Sequence, residues 1–171
     1  MSPRRTNVTE SRNQETDGRR FEFGRNWAKF LAGVGEKHLS EAQHSLVDML
    51  GAADLSGRTF LDIGAGSGLF SLAARRLGAR VLSFDFDAES VTCAAELKRR
   101  YLPQDDSWDI EQGSVLDEAY MESLSTFDVV YSWGVLHHTG DMWQAMGNAA
   151  RSVAPGGLLA LAIYNDQGQI S

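Results

Sequence analysis

The chain has 171 residues, of which 43% are hydrophobic and 23% charged, an ordinary balance for one globular domain with a buried core. Its formal net charge is −7, from 16 Lys and Arg residues against 23 Asp and Glu residues, so no nucleic acid is expected as the main partner. No apolar run is long enough to span a membrane, and the single cysteine, Cys93, cannot form an intramolecular disulfide, which fits a cytoplasmic location.

The N-terminal region divides into a polar tail and a helical segment. Residues 1–20 carry almost no apolar side chains, so they cannot offset the entropy of ordering and are predicted to be a disordered tail. Residues 21–56 carry apolar side chains at helical spacing, including Phe23, Trp27 and Phe30. They are predicted to form an N-terminal helical cap.

Beyond this region, short apolar runs alternate with helical patterns. The predicted strands are TFLDI, RVLSFD, WDIEQG, FDVVYSW and LLALAIYN, at residues 59–63, 80–85, 108–113, 127–133 and 158–165. A helix is predicted between each pair of strands; one has Asp87 as its N-cap, and the last runs to Val153 before a tight turn at APGG, 154–157. This alternation predicts an α/β fold, a parallel sheet with helices on both faces.

A glycine-rich loop follows the first predicted strand, in the stretch FLDIGAGSG. Gly64, Gly66 and Gly68 alternate there with small residues where the next helix begins. Glycine lets a ligand approach the backbone without a Cβ in the way, and open parallel sheets bind ligands beyond the carboxyl ends of their strands. The loop therefore predicts a ligand site; the competing interpretation is a turn that only packs the helix against the strand.

Acidic residues near the loop narrow the choice of ligand. A dinucleotide loop of the G-x-G-x-x-G type would place its third glycine where this chain has Leu69. Asp62, two residues before Gly64, disfavours a pyrophosphate and favours a cationic group such as an ammonium. Asp85, at the end of the second strand, can accept hydrogen bonds from a ribose diol, and Phe86 can pack on a nucleobase or in the core.

Four motifs in this order resemble those of class I S-adenosylmethionine-dependent methyltransferases, over about residues 57–165. DIGAGSG resembles the first motif, EQGSVLD the segment after the third strand, and VAPGGLLAL the turn into the fifth. FDVVYSWGVLHHT resembles the fourth-strand motif of the small-molecule branch that includes ubiquinone and menaquinone biosynthesis methyltransferases. The resemblance implies a Rossmann-like sheet in the order 3-2-1-4-5, with S-adenosylmethionine as the cofactor and S-adenosylhomocysteine as its product.

The same resemblance implies a set of cofactor contacts along one edge of the sheet. These residues are Asp62, Gly64, Ala65, Gly66, Asp85, Phe86, Ser114, Val115, Trp133 and Gly134. Asp62 would lie near the ammonium, Asp85 would hold the ribose, and Ser114 and Val115 would border the adenine. No metal is expected, because the sulfonium already activates the methyl group.

His137 and His138 follow the fourth predicted strand at the same edge. His137 is a candidate general base that takes a proton from an acceptor hydroxyl, whereas a structural hydrogen bond is the preferred interpretation of His138. Adjacent on a helix or strand, the two rings are expected to diverge rather than to chelate one metal. Because N-terminal helices often cover the cofactor in the resembled family, Phe23, Asn26 and Trp27 are candidates for a lid or an acceptor wall. His138 is a further candidate for the substrate site.

The family sheet usually has seven strands, whereas this chain stops soon after the fifth, at NDQGQIS. We therefore expect residues 57–171 to form a C-terminally incomplete cofactor-binding domain, without the sixth and seventh strands. The exposed fifth strand could then self-associate. The expected reaction is O- or C-methylation of a small molecule. A protein or nucleic-acid methyltransferase, an NAD(P)-dependent oxidoreductase and a non-catalytic nucleoside-binding module stay open as alternatives.

Overall fold

A computed structural model describes residues 29–164 of the chain. The predicted tail at 1–20 and the lid candidates Phe23, Asn26 and Trp27 lie outside the described residues. No helix within the described range is long and apolar enough to cross a membrane.

Five parallel strands form one sheet in the order β3-β2-β1-β4-β5. The strands are β1 Thr59–Ile63, β2 Arg80–Asp85, β3 Trp108–Gln112, β4 Phe127–Trp133 and β5 Val153–Ala162. Four of the five β1 residues are buried, as expected for a central parallel strand covered on both faces. The predicted fold class and strand order are confirmed.

Helices connect the strands and cover both faces of the sheet. They are α1 Glu36–Leu50, α2 Leu69–Arg76, α3 Ala88–Tyr101, α4 Glu118–Ser123 and α5 Met142–Arg151. Residues 29–33 are also helical, so helices precede β1 as predicted. Asp87 caps α3 by accepting a hydrogen bond from the Glu89 backbone N–H at 3.3 Å, as predicted.

Side chains alternate along the strands and form two hydrophobic cores, one on each face of the sheet. Phe60 and Tyr131 lie in the core that α1, α2 and α3 cover. Leu61 and Val130, their neighbours in sequence, lie in the core that α4 and α5 cover. Helix α1 belongs to the first core and packs beside α2.

The predicted boundary between α5 and β5 is wrong. The helix ends at Arg151, and β5 already begins at Val153 rather than after the APGG segment. Gly156 takes a positive φ of 77°, as a tight turn requires, but the residues on both sides of the turn pair with β4. The segment at 154–157 is therefore an irregularity inside the strand, a feature typical of a β-bulge.

Strand β5 lies at one edge of the sheet. Among the described residues it pairs with β4 alone, and Leu158 and Ile163 are each about 40% exposed there, at 42% and 39%. The described strand ends at Ala162, three residues before the predicted end. Self-association through this edge stays a prediction.

Candidate functional site

A cleft opens where β1, β2 and β4 end, and it consists of two adjoining cavities. The β3 cavity, of about 400 Å³, reaches the residues that follow β3, 113–116. The β4 cavity, of about 580 Å³, reaches Tyr131, Trp133 and Gly134 at the end of β4. The residues common to both walls are Gly64, Asp85, Phe86, Val135 and His138.

The glycine loop contributes Gly64 to the walls of both cavities, and Ala65 and Gly66 to the wall of the β4 cavity. The backbone N–H groups of Gly64 and Ala65 both donate to the Phe84 carbonyl, at 2.9 and 3.1 Å, which ties the loop to β2. Gly64 has a φ of 74°, and a Cβ placed on it would lie 2.5 Å from Val135 Cγ1. Gly66 also has a positive φ, 54°. The loop therefore needs glycine both for its backbone conformation and for space.

Asp62 is a buried carboxylate at the end of β1, with 2% of its surface exposed. Its Oδ2 accepts a hydrogen bond from Ser71 Oγ on α2 at 2.5 Å. Burial raises the pKa of Asp62 to about 7, and the nearby negative charge of Asp85 raises it as well, whereas the Ser71 hydrogen bond lowers it. The ionised form of Asp62 is therefore costly unless a cation lies beside it.

Asp85 is the second carboxylate on the cleft wall. Its Oδ2 accepts from the Gly66 backbone N–H and its Oδ1 from the Asp87 backbone N–H, both at 2.9 Å. Burial raises its pKa despite these hydrogen bonds. Each carboxylate oxygen has a second lone pair, so Asp85 can still accept hydrogen bonds from a ligand.

These two carboxylates lack a cationic partner. Among residues 29–164, no Lys, Arg or His side chain forms an ion pair with Asp62 or Asp85. The part of the cleft that residues 29–164 form therefore presents two carboxylates that no ion pair within this range neutralises. This electrostatic arrangement suits a cationic ligand and opposes an anionic one such as a pyrophosphate.

Aromatic side chains form the open parts of the wall. Phe86 is 68% exposed and Trp133 is 43% exposed, so both offer an apolar face to a ligand. Trp133 stacks on Phe70 and on Tyr131, with ring centroids 6.5 and 6.4 Å apart. This side of the β4 cavity is therefore an aromatic surface.

Asn148 on α5 supports the wall of the β3 cavity through a hydrogen bond to the backbone of Val115. Asn148 is buried, and its Nδ2 donates to the Val115 carbonyl at 2.6 Å. Ser114 Oγ accepts from the Leu116 backbone N–H at 3.2 Å, which turns the chain at the cavity wall. These contacts fix Ser114 and Val115, the predicted neighbours of a nucleobase.

Replacing Asn148 with Leu is expected to lower stability by about 1–3 kcal/mol, because the buried Val115 carbonyl loses its donor. It should also weaken nucleoside binding severalfold, since the wall at Val115 is no longer held. Urea unfolding and calorimetric titration with adenosine would measure both effects. The matched control is Gln144→Leu on the exposed side of the same helix; equal effects from the two variants would contradict the role of Asn148.

The histidine pair lies on a 3₁₀ turn, Leu136–His138, rather than on a helix or strand. His138 lines both cavities, whereas His137 belongs to neither lining. The two rings do not diverge as expected, because their centroids lie 3.9 Å apart. His137 Nδ1 is buried without a hydrogen-bond partner in the described part of the chain. No group of three His, Cys, Asp or Glu side chains within residues 29–164 could hold a metal ion.

Every residue predicted to contact the cofactor lines the cleft, and their individual roles remain predictions. Sequence reasoning missed Phe70, Ser71, Tyr131, Val135 and Asn148. Strand alternation could have indicated Tyr131, because it lies two residues before Trp133 on the same face of β4. No signal in the sequence pairs Asn148 with Val115, 33 residues away.

The parallel sheet, the glycine loop after β1 and the acidic residue ending β2 define a Rossmann-like nucleoside-binding domain. Comparison with known proteins makes this class more specific. The family model described as a methyltransferase domain matches residues 61–159. The chain belongs to the class I S-adenosylmethionine-dependent methyltransferase family.

Two curated relatives are similar over most of the described domain. The chain is 35% identical to the ubiquinone biosynthesis O-methyltransferase of Brucella melitensis over 111 residues, 65% of this chain and 43% of the relative. It is 31% identical to the Rhizobium etli protein of the same name over 118 residues, 69% of this chain and 46% of the relative. The chain thus matches slightly less than half the length of these relatives.

Solved structures share the fold at low sequence identity. The crystal structure of magnesium protoporphyrin IX methyltransferase from Synechocystis with bound S-adenosylhomocysteine superposes with a TM-score of 0.61. Its identity to this chain is 18%, and the superposition covers 76% of this chain and 63% of that one. This likeness supports the fold assignment made from the sheet.

Proposed function

We propose that the cleft binds S-adenosylmethionine and that the protein transfers its methyl group to a small-molecule acceptor. The observation that carries this proposal is the pair of carboxylates beside the glycine loop, Asp62 and Asp85, which form no ion pair with a Lys, Arg or His side chain among residues 29–164. S-adenosylmethionine carries positive charge on its ammonium and its sulfonium, whereas a nicotinamide dinucleotide carries an anionic pyrophosphate. The charge of the site favours the first ligand.

The chemistry of the wall fits each part of this ligand. Asp62 would accept hydrogen bonds from the ammonium, and Asp85 from the ribose hydroxyls. Phe86 and Val115 would enclose the adenine in the β3 cavity, where Val115 is buried and Phe86 is exposed. A Cβ at Gly64 would lie 2.5 Å from Val135 Cγ1, and Val135 also lines the cleft, so a side chain at this position would disturb the wall that contacts the ligand. When bound, S-adenosylmethionine supplies a methyl group on a sulfonium, which is an activated donor.

The chain's own part in the reaction is to position the acceptor, exclude water and move a proton. The aromatic surface at Trp133 would cover the β4 cavity. His138, which lines both cavities, would take a proton from an acceptor hydroxyl. His137, the earlier candidate base, would instead support the His138 ring from 3.9 Å.

The acceptor class and the setting are also part of this proposal. The Brucella relative is named an O-methyltransferase, which favours oxygen over carbon as the methylated atom.

Residues 57–171 would form the cofactor-binding unit, and residues 21–56 would contribute the helices before it. The single cysteine fits a reducing, cytoplasmic setting.

Calorimetric titration with S-adenosylmethionine, S-adenosylhomocysteine and NADH tests the proposal. We expect the first two to bind and NADH not to bind. Asp85→Asn should weaken binding at least tenfold, since a neutral amide is a poorer acceptor for ribose hydroxyls. Turnover with a panel of phenols and quinols then separates an enzyme from a nucleoside-binding module.

Asp128→Asn is the matched control for this titration. Asp128 also accepts hydrogen bonds from a backbone N–H and a side chain, both of Thr59, at 2.8 and 2.9 Å. It lies near the start of β4, whereas the cleft lies where that strand ends. Its replacement should leave the dissociation constant within about twofold. Binding of NADH alone would replace the methyltransferase proposal with an oxidoreductase, and equal losses in both variants would remove Asp85 from the site.

A further inference from the structure

Tyr131 is a buried tyrosine on β4 that lies beside Asp62 on β1. The two residues are register partners in the parallel sheet, so their side chains leave the sheet on the same face. Only 1% of Tyr131 is exposed. Its ring contacts Phe60, Phe70 and Trp133 at centroid distances of 5.7, 5.4 and 6.4 Å, which fix its position.

The hydroxyl of this tyrosine has no hydrogen-bond partner in the part of the chain that the structure describes. Tyr131 Oη is buried and makes no hydrogen bond within residues 29–164, although Tyr131 lines the β4 cavity. A buried hydroxyl without a partner destabilises the protein, and a phenylalanine would make the same ring contacts without that cost. The described residues therefore leave a hydrogen bond of this hydroxyl open to a ligand in the β4 cavity, which Tyr131 lines.

The hydroxyl is suited to donate rather than to accept a proton. Burial and the negative charge of Asp62 raise the pKa of Tyr131, so its O–H stays protonated throughout the neutral range. A protonated O–H pairs best with an anion. Asp62, its register partner, pairs instead with a cation. The two neighbouring groups thus present one donor for an anion and one acceptor for a cation.

We propose that Tyr131 Oη donates a hydrogen bond to the carboxylate of an α-amino acid group held in the β4 cavity, with the ammonium of the same group at Asp62. An α-amino acid carries its ammonium and its carboxylate on one carbon, which matches two adjacent side chains on neighbouring strands. This inference rests on the proposed function, because the methionyl part of S-adenosylmethionine is the amino acid group concerned. Tyr131 is then a binding residue for that carboxylate.

Three ligands, used as probes, separate the contribution of the amino acid carboxylate to binding from the contributions of the ammonium and the nucleoside. S-adenosylmethionine carries both groups, decarboxylated S-adenosylmethionine keeps the ammonium alone, and 5′-methylthioadenosine has neither. In Tyr131→Phe, calorimetric titration should show about tenfold weaker binding of the first probe and binding of the other two within twofold of wild type. The melting temperature of the ligand-free variant should stay equal to that of wild type or rise, because the unpaired hydroxyl is gone.

Tyr101→Phe is the matched control. Tyr101 Oη donates to the Val34 carbonyl at 3.2 Å, away from the cleft, so this variant should lose stability and keep its affinity for all three probes. Equal weakening of all three probes in Tyr131→Phe would mean a packing role, and unchanged binding of S-adenosylmethionine would mean no ligand contact; either result overturns the inference. Failure of the wild-type protein to bind S-adenosylmethionine would instead reject the proposed function.

Discussion

Asp62→Asn is expected to stabilise the ligand-free protein at pH 8 by about 2 kcal/mol and to weaken S-adenosylmethionine binding about a hundredfold. At this pH the Asp62 carboxylate of the wild-type protein is ionised while buried, because its pKa is about 7. Burial raises the pKa to that value. The neutral amide avoids that cost, and its oxygen can still accept from Ser71 Oγ. It cannot, however, attract an ammonium. Asp62 would thus lower the stability of the ligand-free protein and strengthen the binding of S-adenosylmethionine.

The sign of the pH dependence follows from the same pKa. An Asp in the unfolded chain titrates near a pKa of about 4. Since the folded value is about 7, the folded state binds the extra proton between these values. The contribution of Asp62 to stability is fully present below about pH 4 and is lost as the pH rises through about 7. Urea unfolding at intervals from pH 5 to pH 8 should show the advantage of the variant growing with pH.

Asp128→Asn gives a control of opposite sign. Hydrogen bonds from the backbone and side chain of Thr59 lower the pKa of Asp128, so its contribution is present above the unfolded pKa. This variant should therefore be less stable than wild type at pH 8. If Asp62→Asn were also destabilising at pH 8, the buried carboxylate would already have a compensating partner, and the charge argument for the cleft would be wrong.

Ligand affinity should follow the ionisation of Asp62 in the reverse direction. A cationic group gains most from the ionised carboxylate, so the wild-type dissociation constant should rise about tenfold between pH 8 and pH 6. Asp62→Asn should show no comparable change over this interval. Titration of both proteins at the two pH values would measure the difference, and an equal pH dependence in both would assign the titrating group to another residue.

The parts of the site that could be predicted from the sequence depend on local backbone chemistry. The spacing of Gly64 and Gly66 indicates a loop that needs positive φ. The position of Asp85 could be predicted because it ends a short apolar strand. The strand order followed from a family resemblance that those local motifs carry. None of these features depends on contacts between distant side chains.

The parts that could not be predicted depend on tertiary contacts. In the sequence Tyr131 resembles any aromatic core residue, and only the structure shows that its buried hydroxyl makes no hydrogen bond within residues 29–164. The start of β5 was misplaced because the Gly156 turn is a local signal, whereas strand pairing with β4 is not. The histidine rings meet because Leu136–His138 forms a 3₁₀ turn, which sequence periodicity cannot resolve over three residues.

Gly64→Ala should separate the steric role of the loop glycine from its backbone role. We expect it to cost about 3 kcal/mol of stability and to abolish ligand binding, because its Cβ would lie 2.5 Å from Val135 Cγ1 at a φ of 74°. Val135 lines both cavities, so a displacement of its side chain changes the shape of the cleft. Thermal and urea unfolding would measure the stability, and titration with S-adenosylhomocysteine the binding.

Gly57→Ala isolates the backbone contribution. Gly57 has nearly the same φ, 77°, but a Cβ on it would meet no atom within 4 Å, so its replacement should cost only about 1 kcal/mol. Adding Val135→Ala to Gly64→Ala removes the two nearest methyl groups and should recover most of the difference between the two glycine variants, a coupling of about 2 kcal/mol. If Gly64→Ala cost no more than Gly57→Ala, or if Val135→Ala failed to rescue it, the close approach of Val135 would not be what requires glycine in the loop.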